Sequence, residues 1–499
     1  MKKAKLILEK DYIISAIDNR IYGSFVEHLG RCVYTGIYEP THPSADEEGF
    51  RKDVLELVKG LNVPVVRYPG GNFASALRWE DSVGPRDKRP RRPDPAWKST
   101  EPNEVGLHEF ASWTKKAGAQ MMYAINLGTR GPAEARDLVE YANHQSGTYY
   151  SDLRIQNGAK DPLNIKLWCL GNEMDGDWQM GQKTAYEYGR IANEAAKQMK
   201  SIDDSIELVV CGSTNPEMPT YGAWEYEVLN QTYNNVDYVS VHRYYNNYTG
   251  DSNDFLAKSL DLDRNIRTIA AFCDAVQGMK HSSKKLYLSL DEWNVWYHSH
   301  TQDRVERERN PWGTGLRLIE DVYNFEDALL VGLLLITILK HADRIKIACM
   351  AQLVNVIAPI MTRPGGGAWA QTIYWPMKQA SEFGRGKSLL PLVTCEKMDT
   401  ANFTDVPLVD AAAVLCDDDS VTIFAVNRDL KEAAELTVEL RSFGSFREVS
   451  HSVLHHDDLM AENSELNPDN VKPYFVPADL KEDKITLPAA SWNVIRLMK

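Results

Sequence analysis

Residues 165–173 read IKLWCLGNE, an apolar run that stops at Gly171 and is followed by an amide and a carboxylate. A short apolar run that ends at a glycine is typical of a buried β-strand. Seven further runs of this kind lie between residues 19 and 385, at 21–29, 63–71, 121–128, 206–213, 236–245, 285–293 and 344–355. Their interiors are largely apolar and do not alternate, which indicates parallel strands that are covered on both faces.

Longer segments with helical spacing lie between these runs. Segment 46–61 places five apolar side chains on one stripe, namely Phe50, Val54, Leu57, Val58 and Leu61. Segments 183–200 and 324–342 also predict helices. The second contains the apolar run Leu329 to Leu339, which is too short to cross a bilayer and predicts a buried helix. Eight strands followed by helices predict a (β/α)8 barrel, although a doubly wound open sheet gives the same alternation.

The alternation of strand-like and helical segments ends near residue 386. Strand-like segments then follow one another with no helix between most of them, which predicts a β-sandwich. The N-terminal residues 3–17, KAKLILEKDYIISAI, read as two strands that join this sheet. We therefore predict an α/β fold in which residues 19–385 form a (β/α)8 TIM barrel. Residues 1–18 and 386–499 form the all-β sandwich.

Composition and charge narrow the class of protein. The chain has 499 residues, 43% of them hydrophobic, and a net charge of −14, which opposes nucleic acid or an anionic membrane as the main partner. The start, MKKAKLILEKDY, lacks an apolar stretch long enough for a signal peptide. The seven cysteines show no CxxC spacing, which fits reduced thiols in the cytoplasm.

Sequence signatures of other chemistries are weak. The chain has no HExxH, GxGxxG or GxSxG motif, and the Gly386-Lys387-Ser388 segment has Ser381 where a Walker A loop needs glycine. His298 and His300 could bind a metal, but they lack acidic or cysteine companions. We therefore predict neither a metal nor an organic cofactor.

Active sites of (β/α)8 barrels lie where the strands end. Nearly every predicted strand ends with hydrogen-bonding side chains, and these are Glu27, His28, Arg67, Asn72, Asn126, Asn172, Glu173, His242, Tyr244, Tyr245, Asp291, Glu292, Gln352 and Asn355. Three tryptophans follow closely: Trp178, Trp293 and Trp296. Polar groups beside flat aromatic faces suit a carbohydrate, whose rings have hydroxyl edges and apolar faces.

Glu173 and Glu292 follow strands four and seven, on opposite sides of the barrel mouth. Glycoside hydrolysis needs two carboxyl groups that flank the bond, one protonated and one ionised. The alternative is that each is an ordinary surface or ion-paired glutamate, which two such strand ends in one barrel argue against. Neighbouring strand residues point to opposite faces. Either the strand therefore breaks at Gly171, or only one of Asn172 and Glu173 reaches the site.

Seven segments carry a family resemblance: IYGSFVEHLGRCVY (21–34), VRYPGGNFAS (66–75), WEDSVGPRDKRP (79–90), WCLGNEMDG (168–176), SVHRYY (240–245), LDEWNVWYH (290–298) and AQLVNVIAPI (351–360). The chain resembles the α-L-arabinofuranosidases of glycoside hydrolase family 51 over essentially its whole length. GNE and DEW alone occur in many barrel glycosidases, whereas EHLGR, RYPGGN and DEWNVWYH together are far more specific.

The resemblance implies a role for each matching residue. Glu173 is expected to be the acid/base and Glu292 the nucleophile, held and oriented by Arg67 and Tyr244. The other expected substrate contacts are Glu27, Asn72, Asn172 and Gln352 at the sugar hydroxyls, His242, and the aromatic walls Trp97, Trp178 and Trp296. Arg243 departs from the family pattern, and we expect it to affect the preferred linkage.

We predict a retaining exo-acting enzyme that removes terminal α-L-arabinofuranosyl groups from arabinan, arabinoxylan and their oligosaccharides. A cytoplasmic site makes short imported oligosaccharides the expected substrate, and the resemblance implies a homohexamer. The alternatives are a β-xylosidase or endoglucanase on the same barrel, or a sugar-binding protein without catalysis. Retention predicts carboxyl groups about 5 Å apart, whereas about 9 Å would refute it.

Overall fold

The computed structural model describes residues 1–478 and 484–499, and its centre is a closed barrel of eight parallel strands. In chain order these strands are Gly23–Phe25, Val65–Tyr68, Gln120–Ala124, Leu167–Leu170, Glu207–Cys211, Tyr238–Tyr245, Tyr287–Val295 and Ile345–Ala351. The eighth strand pairs in parallel with the first, from Cys349 opposite Gly23 to Ala351 opposite Phe25. The eight predicted strands are therefore confirmed, and they close into a barrel instead of an open sheet.

Helices surround the barrel strands. The α-helices span Lys52–Leu61, Leu107–Ala117, Pro132–Asn143, Tyr149–Gln156, Ala185–Ile202, Ala223–Thr232, Ser252–Ala257, Ser259–Met279, His300–Arg309, Phe325–Lys340 and Tyr374–Phe383. Short 3-10 helices span Asn19–Tyr22, Asn72–Ala76, Trp79–Ser82 and Arg86–Lys88. The apolar run within Phe325–Lys340 is fully buried, as predicted. Among the described residues, every helix is too short or too polar to traverse a lipid bilayer.

The predicted helix at 46–61 begins six residues later, at Lys52. The carboxylate of Asp46 accepts the backbone N–H groups of Glu48 and Phe50, both at 2.9 Å. Such side-chain bonds to nearby backbone compete with a helix and favour a turn. Phe50 is nevertheless buried, so the apolar stripe identifies the core face correctly although the predicted start is wrong.

Two β-sheets, whose described strands are mostly antiparallel, form the sandwich. The four-stranded sheet has the order Leu392–Cys395, Lys2–Glu9, Ala434–Arg441 and Lys484–Leu487. The seven-stranded sheet has the order Ile13–Ala16, Lys387–Leu389, Val409–Leu415, Val421–Asn427, Ser491–Met498, Glu448–Leu454 and Tyr474–Val476. Their facing side chains form an apolar core of their own. The two N-terminal strands therefore complete the sandwich, as predicted.

Within the described ranges 1–478 and 484–499, three short antiparallel strand pairs lie outside the barrel and the sandwich sheets. They join Arg92–Asp94 to Ser99–Glu101, Ile360–Thr362 to Ala368–Ala370, and Lys397–Met398 to Val406–Pro407. The first and third of these hairpins carry residues that line the central cavity described below.

A buried group of charges joins the sandwich to the barrel. Arg428, fully buried, donates to Asp410 at 3.2 Å and to two barrel groups, Ser259 Oγ at 2.7 Å and Leu256 O at 3.2 Å. Lys340 of the barrel also donates to Asp410. Burial raises the pKa of Asp410, but the two cations outweigh it and lower this pKa to about 2.

Arg428→Ala is expected to lower the free energy of unfolding by about 3–5 kcal/mol, because it removes a partner of a buried carboxylate and several buried hydrogen bonds. The shift in the urea midpoint measures the loss. Lys397→Ala is the control, since its ion pair with Asp405 is exposed and is worth at most about 1 kcal/mol. The Asp410 contribution is present at neutral pH and is lost as the pH falls toward 2. Equal midpoint shifts for the two variants would contradict this assignment.

Candidate active site

The fourth barrel strand breaks at the point where the site begins. It ends at Leu170, and Gly171 and Glu173 both have left-handed backbone, with φ of +90° and +46°. This turn ends the strand alternation, so that Asn172 and Glu173 can both approach the barrel axis. Asn172 accepts a hydrogen bond from Arg67 at 2.7 Å, and Glu173 bonds to His242 at 2.9 Å. The strand therefore breaks at Gly171, which is the first possibility raised by the sequence, although only Glu173 lines the cavity and Asn172 lies behind it.

Glu292 is held at both of its oxygens. Arg67 Nη1 donates to Oε1 at 2.6 Å, and the Tyr244 hydroxyl donates to Oε2 at 2.8 Å. Arg67 is itself fixed, because it donates to Asn172 and its guanidinium lies 4.7 Å from the ring centroid of Phe25. These contacts leave the Glu292 carboxylate with one defined orientation in the cavity.

The Pro-Gly-Gly segment after the second strand makes room for Glu27. A Cβ at Gly71 would lie only 2.8 Å from Glu27 Oε2, so a larger residue would displace this carboxyl group. Glu27 accepts from the backbone N–H of Phe73 at 2.9 Å and from Gln352 at 3.2 Å. Burial raises the pKa of Glu27 to about 8, which favours the protonated form, and in that form the carboxyl group can donate to a sugar hydroxyl.

Three indole rings stand around the carboxyl groups. Trp97 donates to Glu27 at 2.9 Å, and Trp178 donates to Glu173 at 3.0 Å. Trp296 packs edge-on against Tyr244, with ring centroids 5.5 Å apart. Trp178 is 43% exposed, so its ring is available to a sugar at the entrance of the cavity.

These side chains surround one cavity of about 980 Å³. Of the twelve residues predicted to act in the site, ten line the cavity: Glu27, Asn72, Trp97, Glu173, Trp178, His242, Tyr244, Glu292, Trp296 and Gln352. Arg67 and Asn172 lie behind them and contact them by hydrogen bonds, Arg67 to Glu292 at 2.6 Å and Asn172 to Asn72 at 3.1 Å. The structure therefore brings the predicted set together around one space.

Some polar residues at strand ends stabilise the fold and do not line the cavity. Asn126 donates to Leu77 O at 2.9 Å, and Asn355 donates to Arg31 O at 2.9 Å. His28 bonds to Glu101 and to the Tyr68 hydroxyl, both at 2.8 Å. Trp293, expected near the sugar, is fully buried. These residues tie loops to the barrel and are not among those that line the cavity.

Two residues without a predicted role support the site. Asp291 accepts from Ser240 Oγ at 2.6 Å and lies 3.3 Å from His242 Nε2. Gln179 accepts from Ser75 at 2.6 Å and donates to Asn72. Asp291 stands next to Glu292 in a strand, so alternation points it away from the cavity, but the pairing register shifts between Leu290 and Trp293. No sequence pattern indicates this register shift. None indicates either that Gln179, in an irregular loop, supports the site.

The charges around His242 do not balance if every carboxyl group is ionised. His242 lies 2.9 Å from Glu173, 3.3 Å from Asp291 and 3.8 Å from Glu292. Burial lowers the pKa of His242, but these carboxyl groups raise it to about 10. With Arg67, the cluster then holds two cations and three carboxyl groups, and 3 − 2 leaves one carboxyl group in excess.

This surplus of negative charge favours the binding of a proton within the cluster. Burial raises the pKa of Glu173, and the neighbouring Glu292 adds to this, while hydrogen bonds from His242 and Trp178 oppose it. Asp291 differs, since Arg67 and His242 outweigh the effect of burial and lower its pKa. Glu173 is thus the carboxyl group best suited to stay protonated and give up a proton.

The two glutamates lie close together. One carboxyl oxygen of Glu173, one of Glu292 and a ring nitrogen of His242 all lie within 4.8 Å of one another. The distance between the two carboxyl groups therefore agrees with the separation of about 5 Å found in retaining glycosidases. Such a group of side chains could also ligate a metal ion. The guanidinium of Arg67, 2.6 Å from Glu292, already supplies positive charge there and opposes a second cation.

Comparisons with known proteins match the chain from end to end. Residues 57–260 match the α-L-arabinofuranosidase 1 domain, and residues 291–491 match the α-L-arabinofuranosidase C-terminal domain. A protein of Acetivibrio thermocellus named intracellular exo-α-(1→5)-L-arabinofuranosidase is 55% identical over 504 residues, covering 100% of both chains. A protein of Bacillus subtilis with the same name, numbered 1, is 56% identical, again over 100% of both.

Solved structures agree with these matches. A family 51 α-L-arabinofuranosidase from Bifidobacterium longum superposes with a TM-score of 0.95 at 42% identity, covering 100% of both chains. The α-L-arabinofuranosidase of Thermotoga maritima, solved as an arabinose complex, gives a TM-score of 0.88 at 32% identity over 99% of both chains.

Proposed function

Because the chain belongs to the α-L-arabinofuranosidases of glycoside hydrolase family 51, we propose that Glu292 and Glu173 carry out its reaction as nucleophile and acid/base. The chain is a glycoside hydrolase that removes α-L-arabinofuranosyl groups from non-reducing ends. The observation that carries the proposal is the approach of both carboxyl groups, with an oxygen of each within 4.8 Å of the other, in one cavity.

The reaction proceeds in two displacements. Glu292 attacks the anomeric carbon while Glu173 gives its proton to the departing oxygen, which leaves a covalent arabinosyl ester on Glu292. Glu173, now ionised, takes a proton from water, and that water attacks the anomeric carbon and releases arabinose. The donors Arg67 and Tyr244 keep the attacking oxygen in line, and two inversions give net retention.

The remaining predicted residues bind and position the sugar. Glu27, Asn72 and Gln352 supply donors and acceptors to its hydroxyl groups, while Asn172 acts by holding Arg67 and Asn72 in place. His242 contacts the carboxyl groups directly, and we assign it to positioning Glu173 in addition to any contact with substrate. Trp97, Trp178 and Trp296 offer apolar faces to the sugar rings.

Trp178→Phe tests the acid role of Glu173 through pH dependence. The variant keeps an aromatic ring but removes the N–H that donates to Glu173 at 3.0 Å, a bond that lowers the pKa of Glu173. Its loss raises that pKa further. Since the acid acts only when protonated, the fall of kcat/KM at alkaline pH is expected to begin at a higher pH in the variant than in the wild type. An unchanged fall, or one that begins at a lower pH, would contradict Glu173 as the group that titrates there.

We further propose α-(1→5)-linked arabino-oligosaccharides as the preferred substrate, with arabinoxylan fragments as poorer ones. The names of the relatives from Acetivibrio thermocellus and Bacillus subtilis support this linkage. Product analysis on defined 1,2-, 1,3- and 1,5-linked oligosaccharides and on aryl β-xylosides is the test. Faster release of xylose than of arabinose would contradict the assignment, and binding without release of sugar would favour a non-catalytic protein.

The same relatives are named intracellular, and we place this chain in the cytoplasm, where short imported oligosaccharides are its substrates. Assembly into homohexamers stays a prediction that light scattering after size exclusion can test. We also keep the proposed division into a catalytic barrel at 19–385 and a sandwich at 1–18 plus 386–499. The change from barrel strands to sandwich strands on either side of these boundaries supports it.

A further inference from the structure

The cavity extends well beyond the carboxyl groups. Its volume of about 980 Å³ is at the upper end of the roughly 300–1,000 Å³ typical of ligand sites, which exceeds the needs of one pentose. Besides Glu173 and Glu292, its lining includes Arg243, Lys258 and Phe403. Phe403 lies in the hairpin between strands Lys397–Met398 and Val406–Pro407. This hairpin is outside the two sandwich sheets but within the proposed sandwich domain at 386–499, so that domain contributes part of the cavity wall.

The hairpin tip is fixed to the barrel by a buried carboxylate. Asp254, only 3% exposed, accepts from the backbone N–H and the side-chain amide of Asn402, both at 2.9 Å, and from Thr400 at 2.8 Å. Three hydrogen bonds to one buried carboxylate hold the tip in a defined position. The hairpin tip is therefore held in place before a sugar binds.

The groups exposed at this end suit a neutral sugar. Phe403 is half-buried, and Asn402 uses its amide nitrogen on Asp254 while its Oδ1 accepts no hydrogen bond from any described residue. An aromatic face beside a free amide oxygen can bind one ring of a carbohydrate.

The charged groups at this end are already partnered. Arg243 pairs with Glu217 and with Asp261, both at 2.7 Å. Lys258 donates to the backbone oxygen of Asn246. Since each cation has an acceptor, an anionic ligand would gain little here, and an uncharged chain of pentoses is the class that fits.

We propose that Asn402 and Phe403 form a distal subsite for a neutral sugar of the leaving group, beyond the sugar directly bonded to the cleaved arabinose. This inference rests on the proposed function, and it makes the sandwich domain part of substrate recognition. Arg243 follows His242 in the sixth barrel strand and lines the same cavity, so we expect it to affect how the leaving group reaches this subsite.

Chain-length dependence tests the subsite. The wild-type protein is expected to show kcat/KM that rises about tenfold from α-(1→5)-arabinobiose to arabinotetraose, as the second and third leaving-group sugars gain contacts. Phe403→Ala and Asn402→Ala are each expected to reduce this ratio by at least about threefold. Rates on an aryl α-L-arabinofuranoside, which lacks these sugars, provide the reference for each variant and report on folding.

Thr404→Ala is the matched control, because Thr404 is exposed on the same hairpin and is not among the residues that line the cavity. It should keep the wild-type ratio. A wild-type protein active on the aryl substrate but indifferent to chain length would overturn the subsite alone. A protein inactive on the aryl substrate would instead overturn the proposed function. If Phe403→Ala does not fold, the Asn402→Ala ratio decides, and an unchanged ratio contradicts the proposal.

Discussion

Glu292→Ala is expected to lower kcat/KM by at least about 10⁴-fold on every arabinofuranoside, whatever its leaving group. Both oxygens of Glu292 are held by donors, Arg67 at 2.6 Å and Tyr244 at 2.8 Å, and no other carboxyl group takes the same place when the side chain is removed. Initial rates on an aryl arabinofuranoside and on arabinobiose measure the effect. Glu47→Ala, which changes an exposed glutamate away from the cavity, is the control and should keep full activity.

Azide gives this variant a second readout. A small anion can enter the space left by the Glu292 carboxylate and attack the anomeric carbon from that side in a single displacement. The expected product from an activated aryl substrate is the β-configured arabinosyl azide, inverted relative to the substrate. An α-configured azide, or substantial activity without azide, would contradict the role of Glu292 as nucleophile.

Glu173→Ala is expected to separate substrates by their leaving groups. Natural oligosaccharides need protonation of the departing oxygen, so kcat/KM on them should fall by about 10³-fold. An aryl group such as dinitrophenol leaves without a proton, and its release in a single turnover should slow by less than about tenfold. Stopped-flow measurement of the released phenol gives this first step alone. Comparable losses on both substrates would count against the acid role of Glu173.

Azide also tests the second step for this variant. The arabinosyl ester on Glu292 is attacked from the face where Glu173 normally activates water, so the azide product should have the α configuration. The two variants should thus give azides of opposite configuration, because the proposed mechanism requires Glu173 and Glu292 to act on opposite faces of the sugar. Identical products from both variants would place the two carboxyl groups on one face.

Much of the fold follows from patterns that the sequence shows directly. The eight apolar runs are barrel strands because a parallel strand inside a ring of helices is apolar on both faces. The strands Tyr474–Val476 and Lys484–Leu487 carry no such signal, since they are short and have exposed residues at the sandwich edges. The helix start at Lys52 was obscured by Asp46, whose side-chain bonds redirect the backbone before it.

The candidate site was predictable where chemistry demands a residue type at a strand end. Glu173 and Glu292 are in that class, and the strand break at Gly171 explains how Asn172 can bond to Arg67 while Glu173 lines the cavity. The contribution of Asp291 depends on a register shift. The placement of Phe403 in the cavity wall depends on contacts between its hairpin and a distant part of the chain, such as those of Asn402 with Asp254. Neither property has a local pattern in the sequence, so only the three-dimensional structure reveals them.

The configuration of the first product tests the central claim most directly. With methanol as acceptor, transfer of the arabinosyl group gives a methyl arabinofuranoside whose anomeric proton is resolved by NMR and does not mutarotate. If Glu292 and Glu173 act in two successive displacements, the product is the methyl α-L-arabinofuranoside. Formation of the β-anomer would show a single displacement by the acceptor and would contradict a covalent intermediate on Glu292.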